Sequence, residues 1–151
     1  MGGELISIVD IAKMRFHQFH ARIKSSCVSE PVFHQRFLIR RNHIDQSAAK
    51  DPDSLRLNIG DEQVASVITG GMLNVDESKM KGTAPEIAIE AKFIDFPWMD
   101  LADGRDKVEP VVCVRVVIRE GTKQDIVVTA YVPRREDLDL EQLNEVPYEI
   151  W

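Results

Sequence analysis

Acidic residues are scarce at one end of this chain. Residues 1–43 hold three of them (Glu4, Asp10, Glu30) against seven Lys or Arg (Lys13, Arg15, Arg22, Lys24, Arg36, Arg40, Arg41), and also all four histidines. Cysteine is scarcer still: two in 151 residues, Cys27 and Cys113, far apart in contexts that read as a helix end and a strand. That is too few for a disulfide-stapled scaffold, and two reduced thiols in a reducing cytosol are expected. Long hydrophobic runs are missing. Leu5 to Val9 is too short for the core of a signal peptide, and nothing approaches the roughly 20 apolar residues of a membrane span, so a cytosolic protein with no membrane partner is expected. Also missing are a phosphate-binding glycine loop, a dinucleotide glycine motif and a nucleophile elbow; no cofactor is implied.

What is present divides by charge. The first 43 residues sum to +4 within a total of −6, which leaves −10 on the remainder. So lopsided a molecule is suited to meeting another macromolecule. A hydrophobic content of 44% and a charged content of 29% suit a soluble globular protein. The length fits one domain, residues 1–151, with an acidic tail from about residue 134.

Hydrophobic periodicity gives the elements. Leu5, Ile8, Val9, Ala12, Phe16, Phe19 and Ile23 recur at steps of three or four and predict a helix from about Glu4 to Lys24 with that stripe buried. Val32 to Arg41 reads as a strand with Phe33, Phe37 and Ile39 on one face and His34, Arg36 and Arg40 on the other. Asp45 to Ser54 reads as a polar loop, Leu55 to Ile59 as a short strand, Asp61 to Thr69 as a brief helix, and Asn74 to Pro85 as a polar connection. Ile87, Ile89, Ala91 and Phe93 mark the clearest strand. Val111 to Glu120 and Asp125 to Val132 form a hairpin around Gly121, and Arg135 to Leu143 a short acidic helix. The expected fold is α+β, a single domain with a mixed or antiparallel sheet of about five strands and the N-terminal amphipathic helix across one face.

Two sets of residues are candidate contacts. Lys13, His17, His20 and Lys24 fall on one flank of the first helix and, with Arg36 and Arg40, make a basic surface. The connection from Asp95 to Glu109 is a candidate functional loop, with Phe96, Trp98 and Met99 in a proline-rigidified turn as interface anchors and Asp100 and Asp103 as acidic contacts. Metal sites are weaker readings. His17 and His20 with Cys27 or His34 lack the spacing of a helical zinc motif, and the acids around Gly104 lack that of a calcium loop.

The histidines also admit general-base chemistry on a phosphodiester, with Arg36, Arg40 or Lys24 stabilising the developing charge. Ile126 to Val132 is similar to the last strand of small toxin ribonucleases of the barnase/EndoU-like group, a resemblance that implies RNA cleavage. The acidic tail with terminal Trp151 resembles in character the partner-recruiting tails of single-stranded-DNA-binding proteins. The leading expectation is a non-enzymatic protein-binding module, an adaptor or inhibitor acting through the hydrophobic loop and acidic surface. A nucleic-acid-binding protein using the basic N-terminal region, or a small His-dependent ribonuclease, is the alternative.

Overall fold

The apolar stripe near the N-terminus folds as the helix its spacing predicts. The computed structural model describes residues 7–26, 30–50, 59–100, 104–133 and 148–149. Helix α1 spans Ile8–Ser26. Ser7 caps it: the Asp10 N–H, which has no partner within the helix, donates to Ser7 Oγ at 3.1 Å, and the Ser7 carbonyl accepts the first helical bond from the Ile11 N–H at 3.1 Å. Phe16, Phe19 and Ile23 are buried as expected, but Ile8 and Val9, about two turns earlier on the same stripe, are exposed.

After α1 come α2 (Glu30–Arg36), β1 (Phe37–Ile39), α3 (Arg41–Lys50), α4 (Asp61–Gly70), β2 (Met72–Lys81), β3 (Ala84–Asp100), β4 (Arg105–Arg119), β5 (Asp125–Tyr131) and β6 (Tyr148–Glu149). The sheet runs β1-β5-β4-β3-β2, with β6 also pairing with β3. It is mixed: β1 lies parallel to β5 and β6 parallel to β3, while β2 to β5 form an antiparallel meander. Helix α1 lies against β2 and β3 on one face. There Ile87, Ile89, Ala91 and Phe93 of β3 and Val112, Val114, Val116 and Ile118 of β4 share one buried cluster with Phe16, Phe19 and Ile23 of α1 and Val64, Val67 and Ile68 of α4. No described helix is long and apolar enough to cross a membrane.

Four expectations are corrected. Val32 to Arg41 is not one strand: helix α2 ends at Arg36 and only three residues of strand follow. Phe33 and Phe37, four apart, share a face in either conformation, so their spacing could not decide; the helical alternative brings the rings to 5.1 Å. The loop expected from Asp45 begins instead inside α3, a polar helix anchored by the buried Ile44 and braced by Arg41–Asp45 at 2.9 Å. The polar connection from Asn74 is largely β2, whose polarity reflects its place at the sheet edge. The Asp95–Glu109 connection is no long loop: β3 and β4 keep one register from Glu86↔Arg119 to Asp100↔Arg105, with only the step at Asp95 and Pro110 unpaired. Leu55 to Asn58 and Arg135 to Leu143 lie outside the described residues.

The hairpin contains one irregularity with a large effect. Asp95 has φ 53, the only described non-glycine residue at positive φ, and it faces Pro110, which has no amide to donate. The left-handed residue reverses the pleat. Phe93 and Phe96, three apart and thus on opposite faces of a regular strand, both enter the core with ring centroids 5.7 Å apart. Aspartate tolerates this conformation better than a β-branched residue. Asp95→Val is expected to lower stability by about 1–2 kcal/mol, and Asp95→Gly to leave it unchanged or raise it. Urea unfolding midpoints of the two variants check this; equal losses for both would show that the Asp95 side chain, not its backbone angle, is what counts.

Candidate functional site

Helical spacing places Lys13, His17, His20 and Lys24 along one flank of α1, and the first, second and fourth of these are exposed. His20 is not. Its Nε2 is buried without a hydrogen-bond partner, and its pKa lies below the ordinary imidazole value because burial disfavours the charged form, with Lys24 and His17 adding repulsion. Such a histidine is held neutral beside its basic neighbours.

The arginines on the other flank of α1 serve the fold. Arg15 Nη2 donates to Glu120 Oε1 at 3.0 Å, and Arg22 Nη2 donates to Asp125 Oδ1 at 3.0 Å and lies 3.5 Å from Glu120 Oε2. Asp125 is buried and also accepts from the Gly121 N–H at 3.2 Å. Its hydrogen bond is the main reason the Arg22 guanidinium is held above its usual pKa. Together these contacts fasten the helix to the β4–β5 turn. Arg41 is likewise engaged, donating to Asp45, to Asp61 at 3.0 Å and to the Ile59 carbonyl at 2.6 Å.

Structural and unengaged cations thus separate. Lys13, His17, Lys24, Arg36 and Arg40 are exposed and form no ion pair among the described residues. Arg36 ends α2 and Arg40 follows β1, so they flank the edge strand rather than share a strand face. Among the described residues no hydrogen bond or ion pair joins either of them to Lys13, His17 or Lys24.

The second expected contact set lies on the hairpin. Beyond the segments paired with β2, β5 and β6, residues 94–100 and 105–111 pair only with one another among the described residues. Phe96 is turned into the core, away from any partner. Trp98 stands opposite Lys107, Met99 opposite Asp106 and Asp100 opposite Arg105. Their side chains, and Asp103 altogether, lie outside the described residues. Among the described side chains, the apolar groups the hairpin presents are Val108 and Val111, 58% and 53% exposed, with Pro97 and Pro110 exposed as well.

A third constellation has no counterpart in the sequence reading. On the sheet face away from α1, β3 and β4 carry Glu90, Lys92, Cys113 and Arg115, all buried, alongside Asn74 of β2. Glu90 Oε1 accepts from Asn74 Nδ2 and from Arg115 Nη2 (3.3 Å), and its Oε2 lies 3.7 Å from the Cys113 thiol. Arg115 Nη1 donates to the Tyr131 hydroxyl at 3.0 Å and lies 3.8 Å from Glu77 Oε2. Glu77 comes from a bulge in β2 between Asn74 and Lys79 that Asn74 stabilises by accepting the Glu77 N–H at 3.2 Å. Burial alone would lower the Arg115 pKa, but Tyr131, Glu90 and Glu77 outweigh it and hold the guanidinium charged. Burial, reinforced by Glu90, pushes Cys113 up to about 12, so it is a thiol and a poor nucleophile. Both Glu90 oxygens are engaged, which leaves no free base. The sequence signal was available: an arginine inside Val-Cys-Val-Arg-Val-Val-Ile must find a carboxylate on a neighbouring strand.

Among the described residues no group of three or more His, Cys, Asp and Glu could hold a metal ion. Comparison of the chain with models of protein families, with curated proteins and with solved structures finds no match.

Truncation of one partner in a buried ion pair leaves an uncompensated charge and typically costs about 3–5 kcal/mol. Arg115→Ala should therefore unfold at markedly lower urea concentration than the parent chain. Adding Glu90→Leu to Arg115→Met should recover part of the loss relative to Arg115→Met alone. A double variant no better than the single one would show that Glu90 is not the charge Arg115 compensates.

Proposed function

We propose that this chain is a non-enzymatic protein-binding module, an adaptor or inhibitor acting in the cytosol, whose contact is the distal half of the β3–β4 hairpin. The observation that carries this reading is the pair Val108 and Val111, each more than half exposed on a segment that no other described strand flanks. Large apolar side chains held in water on a rigid ribbon are groups a partner can cover. Asp95 and Asp106, both exposed, supply the acidic part of the contact. Phe96 supports it from within by anchoring the hairpin to the core, and Trp98 and Met99 remain contact candidates by their place near the hairpin end.

The test is a double variant, Val108→Asp with Val111→Asp, compared with the parent chain against a partner obtained by affinity capture and then purified. Because both side chains are exposed, unfolding stability should move by no more than about 0.5 kcal/mol. Affinity should fall at least ~10-fold, about 1.4 kcal/mol. A double variant that binds as the parent does would remove the hairpin from the contact.

One observation favours nucleic acid as a second reading: five exposed cations, Lys13, His17, Lys24, Arg36 and Arg40, that form no ion pair among the described residues. If they contact phosphates, binding to a labelled oligonucleotide should weaken steeply with salt, as counterion release requires. Reversing Arg36 and Arg40 to Glu should flatten that dependence. Absence of binding at low ionic strength ends the reading.

A further inference from the structure

The distal part of the β3–β4 hairpin has two open edges. Among the described residues, β2 pairs with β3 no further than Glu90 and β6 only at Lys92 and Phe93, while β5 reaches β4 no further than Arg115. Beyond those points the outer backbone groups of Ile94 to Asp100 and of Arg105 to Val114 have no described strand beside them. A row of unpaired N–H and C=O groups is a template for a further strand, and the exposed Val108 and Val111 add apolar surface that such a strand would cover.

Proline fixes which backbone groups face outward. Pro97 stands opposite Val108 and has no N–H to give, so this step is one of the non-hydrogen-bonded pairs of the ladder. The N–H and C=O of Val108 therefore point away from β3, and the ring nitrogen of Pro97 points away from β4. Direction alternates along a strand, and β4 has no positive φ between Arg105 and Arg119, so Asp106 and Pro110 point outward with Val108 while Lys107 and Glu109 face β3. Each open edge thus carries a proline where an outward donor would stand, and both prolines are exposed. At these positions they cost the ladder no bond; at Phe96, Trp98 or Glu109 either would remove one. Exposed Asp95 and Asp106 set a charge beside each proline, and the left-handed turn of the chain at Asp95 interrupts the β3 edge once more.

We propose that Pro97 and Pro110 guard the two edges of the hairpin, keeping a second copy of this chain from pairing with it edge to edge. A second copy is the strand most often met, because it brings the same two edges at the concentration of the protein itself. With both edges closed, the ribbon can hold Val108 and Val111 in water and stay single. The guard acts on the backbone edges of the ribbon, whereas the contact proposed above lies in its side chains, so either can fail without the other.

Pro97→Thr with Pro110→Thr restores both donors, and the full-length variant is compared with the parent by sedimentation velocity over a concentration series, with amide hydrogen exchange read alongside. The parent should sediment as a monomer, with the Val108 amide exchanging far faster than those of Lys107 and Glu109. The double variant should keep its urea midpoint or raise it, because threonine suits a strand, yet associate at a concentration at least ~10-fold below any at which the parent does. Its Asp106 and Val108 amides should become protected as it associates. Pro110→Thr alone should associate through β4, and adding Asp106→Pro should reverse this although it removes a charge, since an outward donor is again missing. A double variant that stays monomeric at every concentration, association that leaves the Asp106 and Val108 amides exchanging freely, or a protected Val108 amide in the parent would each overturn the proposal. If the double variant does not fold, the two single variants carry the same comparison.

Discussion

The structure depends on one pairing, the long antiparallel ladder between β3 and β4. It places two strands side by side at the centre of the sheet, and each must then bury both faces. On one face the solution is apolar: Ile87, Ile89, Ala91 and Phe93 beside Val112, Val114, Val116 and Ile118, covered from the helical side. On the other it is polar: Glu90 beside Arg115, closed by Asn74, Cys113 and Tyr131. A register slip of one residue would exchange the faces, setting Arg115 against phenylalanines and valines into water. Charge pairing on one side and apolar packing on the other therefore enforce the same register, and the far end of the ladder can extend as a ribbon because its base is fixed twice.

Much of the architecture was legible in the sequence, and the failures share a physical cause. The α1 stripe, the Ile87 to Phe93 alternation, the brief helix after Gly60 and the β4–β5 hairpin all place apolar side chains on one face at an unambiguous period. Where the period is ambiguous the reading failed, as at Phe33 and Phe37, whose separation of four suits helix and strand alike. Segments stabilised by few apolar contacts were also missed: α3 rests on Ile44 and an ion pair, and β2 sits at the edge of the sheet. The hairpin end read as loop because Pro97, Gly104 and Pro110 are turn formers, yet Pro110 lies opposite Asp95, at the one step of the ladder that gives up regular pairing.

Among the cations of the first helix, spacing set Lys13 and Lys24 with the histidines on one flank but gave Arg15 and Arg22 no role. Arg15, Arg22 and Lys13 look alike in a string of letters. Only the fold shows that the first two meet Glu120 and Asp125 from the β4–β5 turn, leaving Lys13 with no such partner. Phe96 shows the opposite limit, since an aromatic beside a proline suits an interface until a single left-handed aspartate turns it inward.

The pairing of β1 with β5 sets the order in which this protein can be finished as it is made. Among the described residues, Phe37, Leu38 and Ile39 find their strand partners at Asp125, Ile126 and Val127, and Arg15 and Arg22 of α1 meet carboxylates at Glu120 and Asp125. At a synthesis rate of roughly 5–20 residues per second, the N-terminal helix and edge strand wait several seconds outside the ribosome for the segment that locks them. Throughout that interval a basic, partly apolar helix is displayed without its acidic clasp. The last strand of the meander is thus also the step that commits the first helix to its place.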